Sequence, residues 1–120
     1  MGQEWKYFEL AEFACPCGCG KSDIDGGLVN MLDDAREEAG IPFVITSGCR
    51  CKAHNLAVGG SRSSAHMKGL AVDIGCKSSK SRFTIITGLL LSGFSRIGIG
   101  KSFVHVDVDG GKPQEIIYLY

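Results

Sequence analysis

Residues 64–74 read Ser-Ala-His-Met-Lys-Gly-Leu-Ala-Val-Asp-Ile, and the rest of the chain is interpreted outward from this stretch. From position 70 onward its apolar residues alternate with a period of two, which predicts a β-strand. The apolar side chains share one face of that strand, so Asp73 lies on the opposite face. His66 precedes Asp73 by seven residues, and Gly69 allows the backbone to turn between them. The stretch therefore predicts a histidine and a carboxylate at the start of a core strand.

A second stretch, residues 103–108, reads Phe-Val-His-Val-Asp-Val and repeats this pairing. Its three valines share one face of a predicted strand, and His105 and Asp107 share the other, about 7 Å apart along it. Zinc sites use His nitrogen and Asp or Glu oxygen, and catalytic sites keep one position open. Two His/Asp strands favour a metal site, although buried polar residues satisfied by hydrogen bonds remain an alternative.

The elements around these strands predict an α+β fold with a mainly antiparallel sheet, in a single domain over residues 1–120. An amphipathic helix over 24–39 is capped by Asp23 or Asp25 and stopped by Gly40. Residues 48–64 form a long polar loop of the kind that usually carries function, with a helical turn near 53–57. The remaining predicted elements are a helix over 80–92 and strands over 43–46, 95–99, 103–108 and 115–119.

Composition excludes several classes of protein. The chain has 120 residues, with 13 basic and 13 acidic side chains, whereas a nucleic-acid binder usually shows a basic excess. No apolar run approaches the roughly 20 residues of a membrane span. The N-terminal residues lack the features of a signal peptide, which predicts synthesis in a reducing cytoplasm. We expect a monomer that binds no nucleic acid.

Six cysteines are bunched along the chain, and their state stays open at this point. Cys15, Cys17 and Cys19 alternate too closely for the usual C-x-x-C knuckle. The alternatives are free thiols, a structural zinc shared with Cys49 or Cys51, and a disulfide formed after release from the cell. The spacing Cys49-x-Cys51-x-x-His54 would also suit a metal, so His54 is a further possible ligand at this point.

The ordered motifs resemble a known family. Ser64-x-His66-x-x-Gly69-x-Ala71-x-Asp73, followed by His105-x-Asp107, is similar to the zinc D-Ala-D-Ala carboxypeptidases, especially their small phage and bacterial cell-wall branch. The wider superfamily includes phage L-alanyl-D-glutamate endolysins, the vancomycin-resistance D,D-dipeptidases and the hedgehog signalling domain. The resemblance covers roughly residues 8–120. It takes in Thr46-Ser47-Gly48-Cys49-Arg50, which is similar to the family's Ser-Gly-Tyr-Arg.

The resemblance implies a hedgehog/D-Ala-D-Ala-peptidase-like fold and a Zn²⁺ ion held by His66, Asp73 and His105. It implies that Arg50 binds a substrate carboxylate or holds the scissile carbonyl, a role for which its planar fork is suited. Ser64 would support the site through a hydrogen bond or serve only as a turn residue. The implied activity is hydrolysis of peptidoglycan stem peptides, in a protein that could be phage-encoded and released to the cell wall or carried in a virion.

At the position that usually supplies the general base, this sequence differs from the family pattern. Much of the superfamily has a carboxylate three residues before the last histidine ligand, and here Ser102 stands at that position. Asp107, on the same strand face as His105, is the better candidate, although it could instead support the ligand from behind. Without a base the protein could be a non-catalytic zinc-containing module that binds cell wall or protein.

Overall fold

A computed structural model describes residues 5–120 of the chain. Within that range three α-helices accompany one five-stranded sheet. The helices are α1 (Gly26–Ala39), α2 (Lys52–Ala57) and α3 (Ser79–Leu91), and the strands are β1 (Ile45–Ser47), β2 (Ala71–Gly75), β3 (Arg96–Ile99), β4 (Phe103–Asp107) and β5 (Ile116–Leu119). Two 3₁₀ turns, Leu10–Phe13 and Ala65–Lys68, complete the set.

The sheet is mainly antiparallel, as the sequence predicts, and its strand order is β1-β2-β4-β3-β5. The pairs β1–β2, β2–β4 and β3–β4 are antiparallel. The edge strand β5 pairs in parallel with β3, which alternation along the chain does not reveal. The observed α+β architecture confirms the predicted class at this level. None of the helices in residues 5–120 has the length and apolarity needed to cross a bilayer.

The bounds of α1 follow from its caps. The Asp25 side chain accepts a hydrogen bond from the Leu28 amide at 2.9 Å, so the helix begins one residue later than this cap. Gly40 ends it with a left-handed φ of 70°, which glycine adopts without steric cost. The predicted start at residue 24 is therefore two residues early, and Asp25 rather than Asp23 is the cap.

The core lies between one face of the sheet and the helix pair α1 and α3. It is built from the alternating apolar residues of the central strands and the inward faces of both helices: Leu28, Leu32, Val72, Ile74, Ile85, Leu89, Val104 and Val106. The opposite face of β2 and β4 is also buried, and it carries polar side chains. That second face holds the predicted site residues.

Candidate metal centre

Strand register brings the predicted ligands together. In the β2–β4 ladder Asp73 lies directly opposite His105, and the 3₁₀ turn before β2 adds His66. Asp73 Oδ1 is 3.3 Å from Nε2 of His66 and 2.9 Å from Nδ1 of His105. One ligand atom from each residue falls within a 4.8 Å cluster, so the three could bind a single metal ion.

The His66 ring is oriented by the backbone. Its Nδ1 lies 2.8 Å from the Gly48 carbonyl oxygen, which can only accept, so Nδ1 carries the proton. The other nitrogen, Nε2, is then unprotonated and carries a lone pair; it is buried and finds no hydrogen-bond partner among the described residues 5–120. A lone pair facing the Asp73 carboxylate calls for a cation between them, so the residues fit a metal.

The His105 ring lies between two carboxylates. Its Nε2 donates to Asp107 Oδ2 at 2.7 Å, which leaves Nδ1 facing Asp73. Asp107 is held in turn by Arg96 Nε at 3.1 Å and by the Asp109 amide at 3.1 Å. Metal-binding histidines characteristically donate their second N–H to a carboxylate or carbonyl. Gly48 and Asp107 provide these two contacts.

The electrostatics keep the carboxylates ionised. Burial alone would raise the pKa of Asp73, but the hydrogen bond with His105 and the neighbouring His66 ring outweigh it and lower that pKa to about 2. Burial opposes ionisation of Asp107 too, and its contacts with His105 and the Asp109 amide hold its pKa below the usual range. For His105, burial favours the neutral ring, yet the Asp107 and Asp73 hydrogen bonds leave its pKa raised. The site is therefore built to neutralise a positive charge.

Arg50 reaches this cluster from the loop before α2. Its Nη2 is 3.7 Å from Asp73 Oδ2, and its Nη1 donates to Asn55 Oδ1 at 3.3 Å. Asn55 is buried and also donates to the Ser61 carbonyl at 2.8 Å. A Cβ at Gly60 would collide with the Asn55 amide oxygen, so only glycine allows this approach. The sequence motifs indicate Arg50. The positioning roles of Asn55 and Gly60 become visible only in the structure, where Asn55 accepts a hydrogen bond from Arg50 and packs against Gly60.

Ser64 lies one step away from the cluster. Its Oγ accepts from the His66 amide at 3.2 Å and caps the 3₁₀ turn that carries His66. The hydroxyl therefore supports the turn while the residue also lines the neighbouring cleft.

A cleft of about 380 Å³ opens over the cluster. Besides the residues predicted from sequence, Arg96, Tyr118 and Tyr120 line it. The ring centroids of Tyr118 and Tyr120 are 6.2 and 5.7 Å from that of His105. Arg96 lies beside Asp107 across the β3–β4 pairing, so a correct strand pairing would have indicated it. Nothing in the sequence spacing points to the tyrosines, because β5, which contains Tyr118 and precedes Tyr120, joins the sheet edge in parallel.

The general-base role of Asp107 stays a prediction, and the structure describes the contacts of its carboxylate. Its carboxylate contacts Nε2 of His105, the nitrogen that faces away from Asp73, and both its oxygens are engaged by Arg96, Asp109 and His105. This geometry matches the alternative in which Asp107 supports a ligand. Ser102 is exposed and is not among the residues lining the cleft.

A second group of potential ligands lies elsewhere in the described residues. The Sγ atoms of Cys15, Cys17, Cys19 and Cys51 form a cluster within 4.8 Å. Cys49 and His54, which the spacing Cys49-x-Cys51-x-x-His54 would have joined, belong to neither potential metal group among residues 5–120.

The structure thus places a histidine–carboxylate group that could hold a metal ion beneath an open cleft. Comparison with known families matches residues 6–109 to Peptidase M15, and the chain belongs to that family. Its members are metal-dependent peptidases, which confirms the resemblance inferred from the motifs and implies a peptide substrate. The match ends before β5, the strand that contains Tyr118 and directly precedes Tyr120. The search of curated proteins found no match.

Proposed function

We propose that this protein is a zinc metallopeptidase that hydrolyses peptide bonds in peptidoglycan stem peptides, as a D-Ala-D-Ala carboxypeptidase or a cell-wall endopeptidase. The observation that carries the proposal is the convergence of His66, Asp73 and His105 beside Arg50 in an open cleft. Two histidine nitrogens and one carboxylate match the three-ligand catalytic zinc sites that keep a position open. We infer that the fold is that of the hedgehog and D-Ala-D-Ala peptidases.

Zinc, when bound, supplies Lewis acidity that polarises a peptide carbonyl and activates water. The chain's own residues fix how it is held. The Gly48 carbonyl keeps the proton of His66 on Nδ1, and Asp107 keeps that of His105 on Nε2. Each ring is thereby fixed with its free nitrogen toward Asp73, so the ligand set needs little reorganisation on binding.

Arg50 is the group proposed to bind the substrate. Arg96 is committed to Asp107 and to the Pro113 carbonyl, whereas the contacts of the Arg50 guanidinium within residues 5–120 are a 3.7 Å ion pair with Asp73 and one hydrogen bond to Asn55. Its guanidinium can therefore turn a donor pair toward a carboxylate in the cleft, and planar bidentate recognition suits Arg rather than Lys. A stem peptide ending in a D-amino acid with a free carboxylate supplies that partner.

The proposal is tested by digesting defined muropeptides with the zinc-loaded protein and identifying the products by mass. Chelation of zinc and His66→Ala should both abolish product release. His54→Ala is the matched control, because His54 lies outside both potential metal groups and should leave release intact. Undiminished release by fully chelated protein would contradict the mechanism.

A non-catalytic zinc-containing module that binds cell wall or protein is the second candidate function. The observation in its favour is that Asp73 and Asp107 are the carboxylates lining the cleft, and both are engaged. Zinc-dependent binding of muropeptides with no product from any of them would establish this alternative over the peptidase.

A further inference from the structure

The cysteine cluster consists of Cys15, Cys17 and Cys19 from one loop and Cys51 from the start of α2. The Sγ atoms of Cys15 and Cys17 are 3.5 Å apart, as are those of Cys17 and Cys51. A disulfide would hold its sulfurs at about 2.05 Å, so these are separate thiols. Two of them, Cys17 and Cys19, are exposed, so hydrophobic burial does not account for their convergence.

The spacing of the sulfurs matches a tetrahedral metal site. Four thiolates about 2.3 Å from a zinc ion lie about 3.8 Å from one another. The loop reaches this arrangement because Gly18 and Gly20, each following a cysteine, adopt left-handed φ angles of 86° and 87°. These reversals let three cysteines at alternate positions face one point, which is why the C-x-x-C spacing of the usual knuckle is not needed.

Backbone amides independently support thiolate ligands. The Cys51 amide donates to Cys15 Sγ at 3.5 Å, the His54 amide to Cys51 Sγ at 3.4 Å, and the Lys21 amide to Cys19 Sγ at 3.5 Å. Hydrogen bonds from outside the ligand set orient metal ligands and stabilise their charge. Three of the four sulfurs therefore accept a hydrogen bond from a backbone amide, and the one from His54 to Cys51 also caps α2.

We propose that Cys15, Cys17, Cys19 and Cys51 bind a structural Zn²⁺ ion in a closed four-thiolate site, separate from the candidate active site. Soft thiolates in tetrahedral geometry select zinc or iron–sulfur groups, and a single ion fits four sulfurs within 4.8 Å. A closed site leaves no open position for substrate, so its role is structural.

The segment 48–51 connects the proposed structural zinc site to the candidate active site. Gly48 orients His66, Arg50 reaches Asp73, and Cys51 is a zinc ligand, so a single short segment joins the two sites. The Cys49 amide also donates to the Phe13 carbonyl at 2.8 Å, next to the cysteine loop. The structural zinc therefore fixes the segment from which Arg50 and the His66 contact are presented.

The test is metal content by elemental mass spectrometry on the full chain, purified under reducing conditions. We expect Cys17→Ser to lose one zinc ion per chain, His66→Ala to lose a different one, and the double variant to lose both. Cys49→Ala is the matched control and should lose none, since its sulfur lies outside the cluster. Because Cys17 is exposed, its substitution should leave the circular dichroism spectrum at low temperature unchanged.

Cobalt substitution separates the two sites by spectroscopy. The intense sulfur-to-cobalt charge-transfer absorption should vanish in Cys17→Ser and persist in His66→Ala. If the Cys17→Ser variant binds as much zinc as the native chain, the proposal is overturned. A disulfide among these four cysteines, or bound iron with sulfide in place of zinc, would overturn it as well.

Discussion

At the residue scale the two nitrogens of His105 have different tasks. Nε2 is tied to Asp107 and Nδ1 faces Asp73, and the period of two along β4 puts His105 and Asp107 on the same face. Asp107 is in turn fixed by Arg96 and the Asp109 amide. These contacts together fix the orientation of the His105 ring, so that its Nδ1 faces Asp73.

Asp107→Asn tests whether this residue positions His105 or takes a proton itself. The neutral amide weakens the hydrogen bond that fixes the ring, so we expect zinc affinity to fall roughly 10–100-fold. Peptidase activity should return when zinc is saturating. The exposed residue Asp34 provides an Asp34→Asn control that should change neither quantity. Activity that stays lost at saturating zinc would show that Asp107 acts on the reacting groups directly.

Arg50→Lys keeps the charge in the cleft and removes the planar fork. Loss of one charge-assisted hydrogen bond costs about 1.5–3 kcal/mol, so kcat/KM on peptides with a free terminal carboxylate should fall roughly 10–100-fold. Zinc content should not change, because Arg50 is not a ligand. Arg62→Lys, at an exposed position in the loop after α2, is the control. An equal loss on carboxylate-free peptides would contradict carboxylate recognition.

At the element scale the sheet and helix pair set how closely chain segments approach. Gly88 of α3 lies against α1, and a Cβ there would stand 2.5 Å from the Ala35 carbonyl oxygen and 3.1 Å from the Ala39 side chain. The first contact is to backbone, which cannot give way without moving the helix. Close approach of these helices therefore depends on a residue with no side chain.

Gly88→Ala should destabilise the fold by about 1–3 kcal/mol, since overpacking outweighs the gain in helix propensity. The measurement is the free energy of unfolding from urea denaturation. Thr87→Ala, one residue away on the exposed side of α3, is the control and should stay within about 0.5 kcal/mol. A Gly88→Ala variant as stable as the native chain would mean that the two helices separate at little cost.

Local signals in the sequence account for most elements and for part of the site. Caps and periodicity predict α1, β2 and β4, and two of the three candidate ligands, Asp73 and His105, follow from the two alternating strands. The third, His66, lies in the turn just before β2. The parallel pairing of β5 and the role of Asn55 depend on contacts between segments distant in sequence, which no local period encodes. The sequence places Asp107 on the same strand face as His105, but it does not determine which ring nitrogen of His105 the carboxylate contacts. That contact depends on the orientation of the His105 ring.

At the scale of the whole molecule, the candidate site joins segments that are far apart along the chain. Metal bound at His66, Asp73 and His105 crosslinks the turn before β2 to the central strands. A ligand that binds only the folded state stabilises it by RT ln(1 + [L]/Kd), about 2.7 kcal/mol at a hundredfold excess over Kd. Free zinc should therefore raise the Tm of the chelated native chain by several degrees. His66→Ala should show a smaller rise, measured by differential scanning calorimetry; an equal rise would place the stabilising ion elsewhere.

An ion pair between the buried Asp109 and the exposed Lys68 joins the end of β4 to the turn before β2 and makes global stability sensitive to acid. Asp109, just after β4, accepts from Lys68 Nζ at 3.0 Å and from the Gly111 amide at 3.1 Å. Burial would raise the pKa of Asp109, but the Lys68 hydrogen bond and the Gly111 amide outweigh it and hold that pKa below the usual range. A carboxyl whose pKa is lower in the folded state stabilises the protein above its unfolded pKa of about 3.9. That contribution disappears as the pH falls through the folded value.

The difference in free energy of unfolding between the native chain and Asp109→Asn should therefore be constant above about pH 5 and narrow below about pH 4. Urea denaturation of both chains across this range measures it, with zinc chelated throughout so that metal release does not contribute. The difference in free energy of unfolding between the native chain and Lys68→Met should narrow over the same pH range, because this substitution removes the main partner of the Asp109 carboxylate. Asp34→Asn, at an exposed site, controls for the loss of one carboxylate. A difference that widens on acidification would show that Asp109 is protonated in the folded state, and that Lys68 does not hold it ionised.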